Sequence, residues 1–402
     1  MKLVPIRELA TFKHGGTPSK ANAAYWRGDI PWVSPKDMKR PAIDDAADHI
    51  SEEAVAGSAA SIVPIGSILI VVRSGILAHS LPVAQAAKPL AFNQDIKAVL
   101  PKTGTVDTDY LFWFLRAQGP SIIARGVKKG ATVHSVQSGF IEKLLVPLPA
   151  LPEQHRIVDL LTRAEGIVRL RREAAAKAAE LIPAIFIDMF GDPKTNAKGL
   201  AVRKVADVVA RFEGGKNIQA GDGEASDLRI LKVSAVTSGA YLEAECKPAP
   251  NDYVAPPRHL VQEGDMLFSR ANTSELVGAT ALVEQTNGST LLPDKLWRIV
   301  WREEVDSLYM WALFQSKAVR QELSKLASGT SDSMRNISQA KLFELSLPVA
   351  ALNEQQRFGE MAKAARSIQK QQDMALEKAQ FTFNALLAQA FASPTPSATN
   401  QE

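Results

Sequence analysis

A chain of 402 residues has room for two or three domains, each large enough for its own core. Its net charge of +4 permits a polyanionic partner without requiring one, and its apolar and charged fractions of 46% and 22% exclude a fibrous or wholly disordered chain. One cysteine, Cys246, excludes an internal disulfide framework and suits the cytosol; the six histidines show no metal-ligand spacing, so no metal site is expected.

The start, MKLVPIRELA, lacks an apolar signal core. Residues 1–150 read as a globular domain of short strands, turns and a few helices. Its most hydrophobic run, Ile62 to Val72, is too short to span a bilayer and is interrupted by Gly66 and Ser67, so it predicts one or two buried strands and no membrane segment. Residues 151–197 read as a long helix and a polar linker. Pro147, Pro149 and Pro152 stop the strand before it, Pro183 predicts a kink or break inside it, and Gly191-Asp192-Pro193 ends it. Residues 198–351 read as a second globular domain and residues 352–392 as a second long helix. The last ten residues, SPTPSATNQE (393–402), read as a disordered tail.

In the first long helix, apolar positions at Ile157, Leu160, Ala164, Ile167, Ala174, Ala178, Leu181 and Ile185 alternate three and four apart, the seam pattern of a helix that packs on another helix. Moving along by 201 positions gives Phe358, Met361, Ala365, Ile368, Ala375, Ala379, Thr382 and Leu386, and the polar interruption at Arg171 falls on Gln372. Each helix would be about 55 Å long. If the two run antiparallel, Arg171 and Gln372 meet at their midpoints and fix the register; the alternative is that both lie at the edge of the seam and reach solvent along their aliphatic stems. The expected core of the pair is Ile157, Leu160, Ile167, Arg171, Leu181, Phe358, Met361, Ile368, Gln372 and Leu386.

The repeat covers the rest of the chain at offsets between 197 and 201. Ile6/Leu9 answer Val205/Val208, and Gly15-Gly16 answers Gly214-Gly215. Trp32-Val33-Ser34 answers Lys232-Val233-Ser234, GSILIVVR ending at Arg73 answers GDMLFSR ending at Arg270, and Tyr110-Leu111 answers Tyr309-Met310. IEKLLVPLPALPEQHR (Ile141 to Arg156) answers LFELSLPVAALNEQQR (Leu342 to Arg357). Correspondences in this order indicate an internal duplication.

Catalytic signatures are missing: there is no GxxxxGK[ST], no GxGxxG after a strand, no HExxH and no paired CxxC. Pro256-Pro257 lacks the acid or amide before it and the aromatic after it that an amino-methyltransferase would need. Glu245-Cys246-Lys247 with Asp222 or Asp227 imitates a metal-dependent nuclease pattern that is common by chance. His134-Ser135 and His79-Ser80 have no identifiable third partner. Binding signals are clearer. Residues 125–132, RGVKKGAT, place Arg125, Lys128 and Lys129 among glycines, with Thr132, in an expected flexible loop able to reach phosphates; a solvated turn is the alternative. Its counterpart, Ser328 to Asn336, keeps one cation, Arg335. Arg73 and Arg270 close corresponding apolar strands, the latter followed by Asn272. Arginine is the usual reader of guanine and asparagine of adenine, although an arginine there can equally be a surface cap. Lys13 and Lys216 beside the paired glycines are similar candidates.

FGDPKTNAKGL followed by VRKVADVV, the paired glycines, and LPALPEQHRIV before a long helix, in a duplicated setting, resemble the specificity subunit of type I restriction-modification enzymes over about residues 1 to 391. The resemblance implies an α+β fold of two similar globular target-recognition domains separated by two long antiparallel helices, a coiled-coil spine with internal pseudo-twofold repeat. It also implies that each domain reads half of a bipartite, asymmetric sequence in double-stranded DNA, with the spine as ruler for the spacer. The subunit would itself be non-catalytic and bind no cofactor. Two methyltransferase subunits with S-adenosylmethionine, and restriction subunits with ATP and Mg, would join it in the cytoplasm. A stand-alone DNA-modifying or DNA-cleaving enzyme, and a coiled-coil scaffold without DNA readout, are the competing readings. Turnover by the isolated chain would favour the former, and failure to bind any DNA with partners present would favour the latter.

Overall fold

The computed structural model describes residues 2–130, 132–219, 227–329 and 334–392. The expected tail, Asp222 and the middle of the loop Ser328 to Asn336 lie outside these residues. The chain divides into two compact units. One comprises the chain up to Arg172 together with the segment from Ala375 onward, and the other is Glu173–Met374.

The first unit is built on a five-stranded sheet in the order Ala10–His14, Ile96–Pro101, Ile68–Val71, Val83–Ala86, Ala42–Ile43, antiparallel except for the last pair. The apolar run Ile62 to Val72 supplies two strands, Ile62–Val63 and Ile68–Val71, and the second buries all four of its residues. Such a continuous apolar strand is what a sheet covered on both faces requires. A second sheet, in the order Asp48–Ile50, Ile30–Val33, Leu90–Phe92, Ile62–Val63, lies alongside it in sequence.

The second unit repeats the plan. Val209–Gly214, Leu296–Trp301, Met266–Ser269 and Thr280–Leu282 follow one another as their counterparts do, and Cys246–Pro248, Arg229–Leu231 and Thr290–Leu291 form the smaller sheet. The paired glycines have a steric cause. A Cβ on Gly15 would lie 2.2 Å from the Phe92 carbonyl oxygen and one on Gly215 1.6 Å from that of Leu292, so only glycine lets the first strand pass the turn before the central one.

The long helices form where expected, Leu151–Ala179 followed by Leu181–Phe190, and Leu352–Ala390. The break at Glu180 sits three residues before Pro183, whose ring lacks an N–H and crowds the preceding turn. Both helices are anchored in the same way. Gln154 is buried; its Oε1 accepts from the Asp107 main-chain N–H (2.9 Å) and its Nε2 donates to the Pro149 carbonyl (2.9 Å). Gln355 repeats this with Asp306 (3.1 Å) and Ala350 (2.8 Å). Asp107 and Asp306 in turn cap the aromatic helices Thr108–Ala117 and Ser307–Gln315, accepting from Tyr110 and Tyr309 N–H. Burial pushes both phenols up to about 12, and each donates to a carbonyl, that of Pro147 or Pro348.

Within the first unit the two helices run antiparallel. Gln154, at the start of one, sits by the helix whose Tyr110 contacts Phe391, at the end of the other. Glu165, three turns on, pairs with Arg116 (2.6 Å), whose guanidinium lies over Phe383. In the second unit Phe358 meets Phe186 and Phe190, with ring centroids 5.6 and 5.8 Å away.

The seam differs from the expected one in phase. Ile157 and Phe358 are buried as expected, and Leu181 and Leu386 are half-buried. Leu160 (39% exposed), Ile167 (54%), Met361 (42%) and Ile368 (45%) face outward, while their neighbours Leu161, Val168 and Ala362 are buried. The adjacent apolar pairs Leu160-Leu161 and Ile167-Val168 allow either phase. In the first unit Leu161 and Val168 lie in one core with Phe383 and Phe391, and in the second Ala362 lies in the core with Phe186 and Phe190. Arg171 is exposed in the first unit and Gln372 is half-buried in the second.

Candidate nucleic-acid interface

Sequence reasoning placed Arg73 and the lysine-rich loop in separate parts of the first domain. The structure joins them. Arg73–Ser74, His134–Val136 and Val127–Lys128 form a three-stranded antiparallel ribbon in which Ser135 lies opposite both Arg73 and Lys128. Residues directly opposite across neighbouring strands share a face, so Arg73, Ser135 and Lys128 form one polar row with a cation at each end. Both cations are exposed, as are Lys129 and Thr132 beside them. His134, opposite Ser74, accepts from the Gly130 N–H through Nδ1 (3.2 Å) and so ties down the loop that carries the lysines.

The second unit brings the equivalent segments together. Ala271–Asn272 pairs with Arg335–Asn336, with Asn272 opposite Arg335, and Ser328 bridges Asn336. Arg270 enters this ribbon from the strand Met266–Ser269.

Three candidates have other tasks. Arg125 is not in a loop but in the last turn of the helix Gly119–Gly126, where its guanidinium donates to Ser121 Oγ. Arg335 turns back on its own loop, donating to the carbonyls of Ala327 (2.9 Å) and Gly329 (3.4 Å). Lys13 donates to the Ile62 carbonyl (3.4 Å), a link between strands of two sheets. Lys216 is exposed and bridges Pro293. It lies close enough to His259 that, after burial and Arg258, it helps hold that imidazole below its usual range.

Sequence reasoning missed the acid beside each arginine. Asp95 lies 3.7 Å from Arg73 and Asp294 3.6 Å from Arg270, each in the turn leading into the central strand. The main-chain N–H of Arg73 meets the Asp95 carbonyl and that of Arg270 the Lys295 carbonyl, so Asp95 stands at the place of Lys295 and Asp294 lies one residue earlier.

Among the described residues no group of three or more His, Cys, Asp or Glu side chains could hold a metal ion, and no helix is long and apolar enough to cross a membrane. Two α+β units with one sheet order, each closed by parts of two long helices, have the fold of type I restriction-modification S subunits. The S subunit from M. genitalium aligns over 98% of this chain and 96% of its own length, with TM-score 0.56 and 12% identity. A solved chain of a type I R-M system, described in terms of complex assembly and conformational transition, aligns over 98% of both chains with TM-score 0.61 and 16% identity. Residues 1–177 match the family model of the type I restriction modification DNA specificity domain. Over 177 residues the chain is 38% identical to the Escherichia coli type I restriction enzyme EcoR124I/EcoR124II specificity subunit, a match covering 44% of each. The chain thus spans less than half the length of that curated relative.

Proposed function

We propose that the chain is the sequence-specific DNA-recognition subunit of a type I restriction-modification complex, reading a bipartite, asymmetric target with one unit per half-site. One observation carries this reading: in each unit an arginine closing the same strand enters a narrow antiparallel ribbon with polar and cationic side chains. A two-stranded ribbon fits the major groove, where arginine and asparagine distinguish base pairs, while flanking lysines reach phosphates. The chain itself is non-catalytic. Methyltransferase subunits with S-adenosylmethionine modify adenine, restriction subunits with ATP and Mg cleave, and the assembly works in the cytoplasm.

The test is direct. Purified with its methyltransferase, the chain should methylate a bipartite motif, and alone it should show no turnover. Methylation by the chain alone would overturn the non-catalytic assignment. Exchanging residues 1–150 for the matching domain of a relative should change one half of the motif only.

Lys128→Ala with Lys129→Ala should weaken DNA binding across sequences and lower the slope of log K against log salt by about two, near one for each phosphate no longer neutralised. An unchanged slope, measured by salt titration, would remove these lysines from the interface.

The outward apolar residues suit the methyltransferase partners. Leu160, Ile167 and Leu170 in the first unit, and Met361 and Ile368 in the second, leave apolar surface on helix faces turned away from the seam. Ile167→Glu should reduce co-purification of the methyltransferase at least tenfold without lowering thermal stability. Undiminished co-purification would place that partner elsewhere.

A further inference from the structure

Each unit fastens its arginine along one edge of the guanidinium. In the first, the Arg73 main-chain N–H donates to the Asp95 carbonyl (3.2 Å), and its Nε faces Asp95 Oδ1 at 3.7 Å. Asp95 is itself fixed. Its N–H donates to Asn93 Oδ1 (3.1 Å), and its Oδ2 accepts from Asn93 Nδ2 (3.0 Å), with Asn93 buried. In the second, the Arg270 main-chain N–H donates to the Lys295 carbonyl (3.1 Å) and Nε to the Asp294 carbonyl (2.7 Å), while Nη2 faces Asp294 Oδ2 at 3.6 Å.

Neither ion pair is there for stability, because partly exposed pairs of this length contribute little. A carboxylate within a surface that approaches phosphates also repels them. Yet both units keep an acid in this turn, at neighbouring positions, while the ribbon after the arginine has diverged from Ser74 opposite His134 to Ala271 opposite Asn336. What the arrangement achieves is orientation. Holding the Nε edge leaves the two terminal nitrogens as a planar fork, and that fork matches guanine O6 and N7 in the major groove.

We infer that Asp95 and Asp294 are positioning residues that present Arg73 and Arg270 each to one guanine in its half-target. The inference rests on the DNA-reading function proposed above and adds which base is read and what aims the reader. Asp95 and Asp294 touch no base; each acts through its arginine.

The experiment maps N6-methyladenine across the genome in cells expressing the methyltransferase with wild-type chain, Arg73→Ala, Arg73→Lys, Asp95→Ala or the Arg73→Ala/Asp95→Ala double variant. Each single variant should reduce discrimination about tenfold or more at the same G·C pair of one half-target, leaving the other half unchanged. Arg73→Lys keeps the charge but loses the fork, so it too should relax that pair. The double variant should be no worse than Arg73→Ala alone, and the salt slope of binding should stay as in wild type, which a merely structural loss would not produce. Asp294→Ala should relax one pair in the opposite half. Relaxation by Arg73→Ala but not by Asp95→Ala would overturn the positioning role while leaving the reader in place. Relaxation at an A·T pair would overturn the guanine assignment. A wild-type complex that methylates no bipartite motif would overturn the proposed function itself.

Discussion

Phe358→Ala should destabilise the second unit by about 3–5 kcal/mol, the usual cost of emptying a buried phenylalanine site. Phe358 is fully buried where the second long helix meets the aromatic helix Ser307–Gln315 and the segment Leu181–Phe190. Its ring makes edge contacts with Phe186, Phe190 and Tyr309, so its loss removes three aromatic pairs as well as apolar area. Rigid helix backbones limit collapse around the gap, which puts the cost toward the upper end of that range. Hydrogen exchange gives the clearest reading: amides of Ser307–Gln315 should lose protection. A loss of stability below about 1 kcal/mol would mean the site repacks freely.

Gln154→Ala should cost about 2–4 kcal/mol, and Gln355→Ala a similar amount, far more than ordinary glutamine truncations. Each side chain is buried and makes two main-chain hydrogen bonds, one as acceptor and one as donor. Truncation strands the Asp107 or Asp306 N–H at a helix start, along with a carbonyl at the end of the preceding strand, and an unpaired buried group costs more than the bond was worth. Thermal unfolding of each variant is the measurement. A shift no larger than that of an exposed control such as Gln371→Ala would show that water replaces the clamp.

Much of this architecture is written in the residues because a duplicated core repeats its constraints. Ile6 and Val205, Tyr110 and Tyr309, and the paired glycines recur since each faces similar neighbours twice. The phase of the helix seam was not legible, as Leu160 and Leu161 serve equally well until Phe383 and Phe391 are placed in the same core. The Glu-Gln element before each helix stood out as a pattern, but the task of its glutamine depends on a main-chain N–H about fifty residues away. At the interface, Arg73 and Lys128 were visible as residue types, whereas their shared row depends on strand register. Asp95 could not be distinguished from any other turn aspartate until Arg73 lay beside it.

The core of the first unit is completed by chain that is made after the second unit. Trp113 packs on Phe383, and Tyr110 and Phe114 on Phe391, all long after Ala117 has left the ribosome. The second unit is contiguous, Glu173–Met374, and its aromatic cluster needs nothing beyond Phe358 and its neighbours. Synthesis from the N-terminus therefore yields a domain that is begun first and finished second. Until residue 391 emerges, the nascent chain exposes the apolar side of Thr108–Ala117, a surface for chaperones to cover and for aggregation to exploit. Loss of only the end of the last helix would accordingly injure the opposite end of the sequence.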